Sequence, residues 1–181
     1  ETCLSPEPSS AQRIESSFCL RYSGCMDLLP DLSTGRLAVL VAPRAGGEAL
    51  MNLAARLVHR SRRSGARDAA LQVLDAGNRF EAYRLARALR RLMHESLDAA
   101  LERVRMARAF TCYQVLTLLD ETPGDPAPTL VIDLLDTFYD ESVPQGERGR
   151  LLQGCLINLR RLSHFAPVLV SVCPLPPGLA E

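Results

Sequence analysis

Short apolar runs rich in β-branched residues alternate with longer, helically periodic segments along almost the whole sequence, and this alternation restricts the architecture more than any other feature. Leu37 to Ala42, Ala70 to Asp75, Val104 to Phe110, Leu130 to Leu134 and Val168 to Val172 read as strands, each bounded by turn-forming or charged residues. The intervening patterns are helical: Glu48 to Arg63, with Leu50, Leu53, Leu57 and Val58 on one face, then Phe80 to Met93, Tyr113 to Leu119 and Gly149 to Phe165. Parallel strands need a long crossover, usually a helix, so this order predicts an α/β three-layer sandwich around a mainly parallel sheet. The strands show little polar–apolar alternation, as expected when helices cover both faces. Residues 1–16 read as a flexible leader, 17–175 as one core domain and 176–181 as a tail. Within the core, Thr122-Pro-Gly-Asp-Pro-Ala-Pro128 reads as a rigid loop and Ser142 to Gly149 as a flexible turn.

Composition removes several chemistries. All 21 cationic residues are Arg and none is Lys, which excludes lysine Schiff bases and the phosphate-gripping lysine of a standard P-loop. Six cysteines (Cys3, Cys19, Cys25, Cys112, Cys155, Cys173) are scattered without a Cys-x-x-Cys pair, so neither a zinc site nor a dense disulfide framework is expected. They read as reduced, mostly buried thiols of a cytoplasmic protein, nuclear or nucleoid-associated if it acts on DNA. The longest apolar runs fall far short of the roughly 20 residues of a membrane span. His59, His94 and His164 are dispersed and lack a neighbouring nucleophile motif, which gives no support to a hydrolase triad. Charge is segregated: residues 56–108 carry thirteen Arg against six acids, and 109–147 carry eight acids and no Arg. A basic surface and an acidic one follow, suited to a polyanion or to head-to-tail protein contact.

In an open α/β sheet, ligands bind outside the carboxyl ends of the strands. The turn after the first of these strands, Ala42-Pro-Arg-Ala-Gly-Gly-Glu-Ala49, keeps the spacing of the P-loop pattern G-x-x-x-x-G-K-[ST]. Glu48 falls at the Lys position and Ala49 at the hydroxyl position, so phosphate neutralisation and magnesium ligation are both absent. The degenerate loop comprises Pro43, Arg44, Ala45, Gly46, Gly47, Glu48 and Ala49. Its glycines could still turn backbone N–H groups toward an anion at a helix N-terminus.

Four further segments occur in a consistent order. They are Ser23-Gly-Cys-Met-Asp-Leu-Leu29 with Leu32 to Gly35, Leu74-Asp-Ala-Gly-Asn-Arg-Phe80 with Arg84-Leu85, Ala107-Arg-Ala-Phe110 with Gln114, and Thr129-Leu-Val-Ile-Asp133 followed by Leu151 to Val172. Together they resemble the RecA/RadA recombinase family over roughly residues 20–173, through its T-G-x-x-x-L-D-x-L-L, I-D-T-E-G-T-F…R-L, A-R-A-[FY]…Q and Walker B segments. The resemblance implies a RecA-like P-loop NTPase fold. It makes Asp133 the Walker B acid and Gln114 the nucleotide-sensing glutamine. The family's catalytic glutamate falls at Gly77, and Leu134 offers no substitute base. With lysine, hydroxyl and base all lost, the expectation is a pseudo-ATPase, a recombinase paralogue that serves DNA recombination and repair as an accessory or regulatory subunit. It has no catalytic residue, and no cofactor is firmly expected. The alternative is a weak ATP-binding protein, with magnesium, acting as a slow nucleotide switch.

The expected partner is a recombinase or paralogue, in an oligomer or hetero-complex, with no membrane involvement. The family's DNA-facing loop after Tyr139 corresponds here to the acidic Asp140 to Glu147, and Cys173-Pro-Leu-Pro-Pro177 does not match its mobile DNA-binding loop, which argues against independent strand exchange. Two arginine stripes, Arg56, Arg60 and Arg63, then Arg84, Arg87 and Arg91, are the candidate surface for DNA or for an acidic partner. A solvated helix face is the simpler alternative for each.

Overall fold

The computed structural model describes residues 18–21, 35–41, 47–63, 71–92 and 96–173. Strand and helix follow one another as β1 (Phe18–Arg21), β2 (Leu37–Val41), α1 (Gly47–Arg63), β3 (Leu71–Asp75), α2 (Ala82–Leu92), α3 (Leu97–Leu101), β4 (Val104–Arg108), α4 (Cys112–Glu121), β5 (Thr129–Ile132), a 3-10 turn (Asp136–Tyr139), α5 (Gln145–Ser163) and β6 (Val168–Val172). The strands form one sheet in the order β1-β2-β6-β5-β3-β4, and every pairing is parallel. The α/β class and the parallel sheet expected from the sequence are therefore present.

Alternate side chains of the central strands enter two apolar layers. Leu71 and Val73 of β3, Leu130 and Ile132 of β5 and Leu169 of β6 pack against α1, α2 and α3, with Leu53, Val58, Leu85 and Leu89 among their neighbours. Leu74, Val131, Val168 and Val170 point the other way, against Val115 and Leu119 of α4 and Leu151, Cys155, Leu159 and Leu162 of α5. A fully buried Val or Leu stabilises by about 1.5–3 kcal/mol, whereas an exposed ion pair contributes about 0–1 kcal/mol. The two apolar layers, not the surface charge pairs, hold the sheet and helices together.

Local chemistry explains several element ends. Thr111 caps α4, its hydroxyl accepting from the Gln114 N–H at 3.2 Å. Arg161 of α5 reaches the other end of α4 and donates to the carbonyls of Leu119, Asp120 and Thr122 at 2.9, 3.1 and 3.0 Å, a cation placed where the helix dipole favours it. Gly154 lets α5 approach α4, since a Cβ there would lie 2.9 Å from Leu116 Cδ1. No helix among the described residues is long and apolar enough to cross a membrane.

Several boundaries differ from the sequence reading by a residue or more, β4 ending at Arg108 rather than Phe110 and α2 spanning Ala82–Leu92 rather than Phe80 to Met93. The helix expected from Gly149 begins at Gln145, so the second half of the expected flexible turn is the first turn of α5. The strand expected to reach Leu134 ends at Ile132, because Asp133 turns to a φ of +49° and leaves the ladder. β1 and α3 carry too short a pattern to be read from sequence; β1 is recognisable only through its register with β2. The leader 1–16 and the tail 176–181 lie outside the described residues.

Candidate functional site

The helices after the neighbouring strands β3 and β5 leave on opposite sides of the sheet, α2 toward one apolar layer and α5 toward the other. That divergence is the topology that gives α/β proteins a ligand crevice at the carboxyl ends of their strands. Asp75, the last residue of β3, pairs in register with Ile132 and with Arg108, so Asp75, Asp133 and the end of β4 meet there.

Asp75 is completely buried, and its carboxylate organises the turn that follows. Oδ1 accepts from the Arg79 N–H at 2.9 Å. Oδ2 accepts from the Phe80 N–H at 3.0 Å and from Arg108 Nε at 2.9 Å. Asn78 completes the turn with a φ of +54°, a left-handed conformation that Asn tolerates better than most residues. A buried carboxylate is costly unless paired and hydrogen-bonded, and here three donors meet that requirement.

Asp133 lies across the crevice, 2% exposed. Its N–H donates to Ser171 Oγ at 2.8 Å, and that hydroxyl donates to Asp133 Oδ1 at 2.9 Å. Oδ2 pairs with Arg79 Nη1 at 3.1 Å. Burial pushes the Asp133 carboxyl above the ordinary aspartate value, opposed by the Ser171 hydrogen bond and the Arg79 charge and reinforced by the nearby Asp136 charge. Gly77 packs directly on this side chain: a Cβ on Gly77 would lie 2.5 Å from the Asp133 Cβ. The position matched to the family's catalytic glutamate is thus held as glycine by close approach.

At the head of α1, Glu48 Oε1 accepts from Arg87 Nη2 at 2.9 Å, and Arg84 Nε pairs with Glu81 Oε2 at 2.6 Å. A Cβ on Gly47 would come 3.7 Å from Arg84 Nη1. Two arginines of the second stripe therefore face carboxylates, one of them the residue standing at the P-loop lysine position. Ala49 and Arg56 are half-buried, while Arg60 and Arg91 are exposed. Pro43, Arg44, Ala45, Gly46 and the Arg63 side chain lie outside the described residues. Gln114 has a local occupation, its Oε1 accepting from the Phe110 N–H at 2.8 Å beside the Thr111 cap.

The structure adds residues that the sequence reading did not single out as site residues: Asp75, Arg79, Arg108 and Ser171. Asp75 had a signal, an acid ending an apolar strand before Gly. Ser171 had none, because its role comes from the β5–β6 neighbourhood. A second feature lies at the sheet edge, where β4 pairs with β3 alone among the described residues. An apolar cavity of about 180 Å³ sits beside this edge, lined by Leu74, Ala107, Leu118, Thr122 and Pro123 among others. Met106 and Phe110 are 46% and 64% exposed along the same strand and its extension.

Among the described residues, no cluster of three or more His, Cys, Asp or Glu is arranged to hold a metal ion. No protein-family model matches the chain, and a comparison with curated proteins finds no significant match.

Proposed function

We propose that this protein is a non-catalytic RecA/RadA-like accessory or regulatory subunit in homologous recombination and DNA repair, built on a RecA-like P-loop NTPase fold and acting through protein assembly. The observation that carries the reading is the β4 edge. A sheet edge offers a row of backbone N–H and C=O groups to an added strand, and a neighbouring pocket selects one of that strand's side chains. Here the edge runs beside the 180 Å³ cavity and carries exposed Met106 and Phe110. An extended segment of a recombinase-type partner would pair with β4 and seat an apolar side chain in the cavity.

The parallel sheet and the crevice bearing Asp133 support the resemblance, as does left-handed Asn78 at the glycine position of I-D-T-E-G. Magnesium and triphosphate do not fit the residues present. Glu48 is bridged to Arg87, Ala49 has no hydroxyl, and both Asp133 oxygens are engaged by Ser171 and Arg79. Among the described side chains of the two stripes, exposed Arg60 and Arg91 are what is offered to a DNA backbone, since Arg84 and Arg87 face acids.

Sedimentation with a recombinase from the same organism tests assembly. The wild type co-sediments, and Ala107→Glu and Met106→Asp each weaken the complex by about tenfold or more. No complex, or variants that bind like the wild type, would overturn the reading. Magnesium-dependent ATP binding in calorimetry would shift it to a nucleotide switch.

A further inference from the structure

We infer that Arg79 is the resident cation of the crevice: its guanidinium stands beside Asp133 where a divalent ion would otherwise sit, so this chain closes the site to metal with its own side chain. The inference deepens the non-catalytic reading and rests on its matching of Asp133.

Arg79 is held from two sides. Its backbone N–H is fixed by Asp75 Oδ1 at 2.9 Å, and its guanidinium reaches Asp133 Oδ2 at 3.1 Å, so the carboxylates ending both strands set its position. The Arg79 side chain is 23% exposed and that of Asp133 only 3%, so the guanidinium lies over the carboxylate as a lid toward solvent. The other oxygen, Oδ1, accepts from the Ser171 hydroxyl at 2.9 Å. A hydrated divalent ion needs carboxylate oxygen free on its own coordination sphere. Entering here, it would displace the guanidinium and leave Arg79 without this carboxylate, in a crevice whose other strand-end acid, Asp75, is already bonded to Arg108. The ion must therefore compete with a charge pair that is already made, against a carboxylate only 3% exposed.

Gly77 makes the arrangement hard to reverse by a single substitution. Its backbone occupies the space against the Asp133 Cβ, so a glutamate there displaces Asp133 before it could position water. The crevice is thus closed to both halves of metal-assisted hydrolysis, the ion and the base, by two neighbouring residues of one turn.

Mn²⁺ alone is the probe, titrated into the folded protein and read by the electron paramagnetic resonance signal of the free ion. The wild type leaves that signal unchanged. Arg79→Ala, or Arg79→Met where the stem is needed for packing, lowers that signal at Mn²⁺ concentrations where the wild type does not. Adding Asp133→Asn to either abolishes the uptake. Circular dichroism establishes that each variant is folded. Uptake by the wild type that Asp133→Asn removes would overturn the inference, and so would a folded Arg79 variant that takes up none. Neither result touches the sedimentation assay, so failure of the resident cation and failure of the assembly reading are told apart.

Discussion

Replacing Gly77 with alanine is the sharpest probe of the crevice. The new Cβ would stand 2.5 Å from the Asp133 Cβ, whereas carbon atoms in contact sit about 3.5–4.0 Å apart. One of the two residues must therefore retreat by about 1 Å. Gly77 is tied to β5 through its N–H and the Ile132 carbonyl at 3.1 Å, and Asp133 is tied to Ser171 by bonds of 2.8 and 2.9 Å and to Arg79 at 3.1 Å. Overpacking alone costs about 1–3 kcal/mol. Loosening the Asp133–Arg79 pair adds less than the about 3–5 kcal/mol of a fully buried pair, because Arg79 is partly exposed. The expected loss is about 2–4 kcal/mol, a fall in Tm of about 4–16 °C for a chain of this size. Urea unfolding followed by circular dichroism measures it, with the midpoint moving and the m-value constant. Gly149→Ala is the control: nothing lies within 4 Å of that position in α5, so alanine should stabilise the helix by up to about 1 kcal/mol. Gly77→Ala as stable as the wild type would refute the packing of Gly77 on Asp133.

Three further outcomes are expected. Asp75→Asn keeps the shape but cannot serve the Arg79 N–H, the Phe80 N–H and Arg108 Nε together; it should cost about 2–4 kcal/mol in chemical denaturation. Arg161→Lys keeps the charge but loses the Nε donor that bonds Asn158 Oδ1 at 3.1 Å and so fixes the guanidinium while Nη2 meets the carbonyls of Leu119, Asp120 and Thr122; the expected loss is about 1–2 kcal/mol, and amide exchange should quicken first at the end of α4. Burial and the adjacent Cys112 push the Cys155 thiol from 9.0 up to about 11. The unfolded chain then releases this proton at lower pH than the native state, so stability falls as pH rises from about 9 to about 11. In Cys155→Ala that part of the alkaline loss, about 2–3 kcal/mol, should disappear from urea midpoints compared across this range.

How much of this was legible beforehand depended on how local each cause is. β6 was readable residue for residue, because Val168–Val172 is buried on both faces and its sequence is almost wholly apolar. The start of α5 was not. Ser142 to Gly149 has the Pro and Gly of a turn, yet the same Pro144 stands at the head of α5 and Glu147 lies in its first turn, where the helix dipole favours an acid. Gln114 shows how a local cause is legible: four residues of sequence hold its contact with the Phe110 N–H beside the Thr111 cap.

The amino-acid sequence by itself determined the alternation of strand and helix, the burial of the central strands on both faces, and the absence of lysine from the whole chain, because each follows from residue type and spacing along the chain. Only the tertiary structure decided which charges meet. Ser171 and Asp133 are 38 positions apart and share two hydrogen bonds, and Arg108 reaches Asp75 over 33 positions. In a parallel sheet the crossover helices choose the neighbours of each strand, and those neighbours decide whether an aspartate at a strand end faces solvent, a metal ion or an arginine of its own chain.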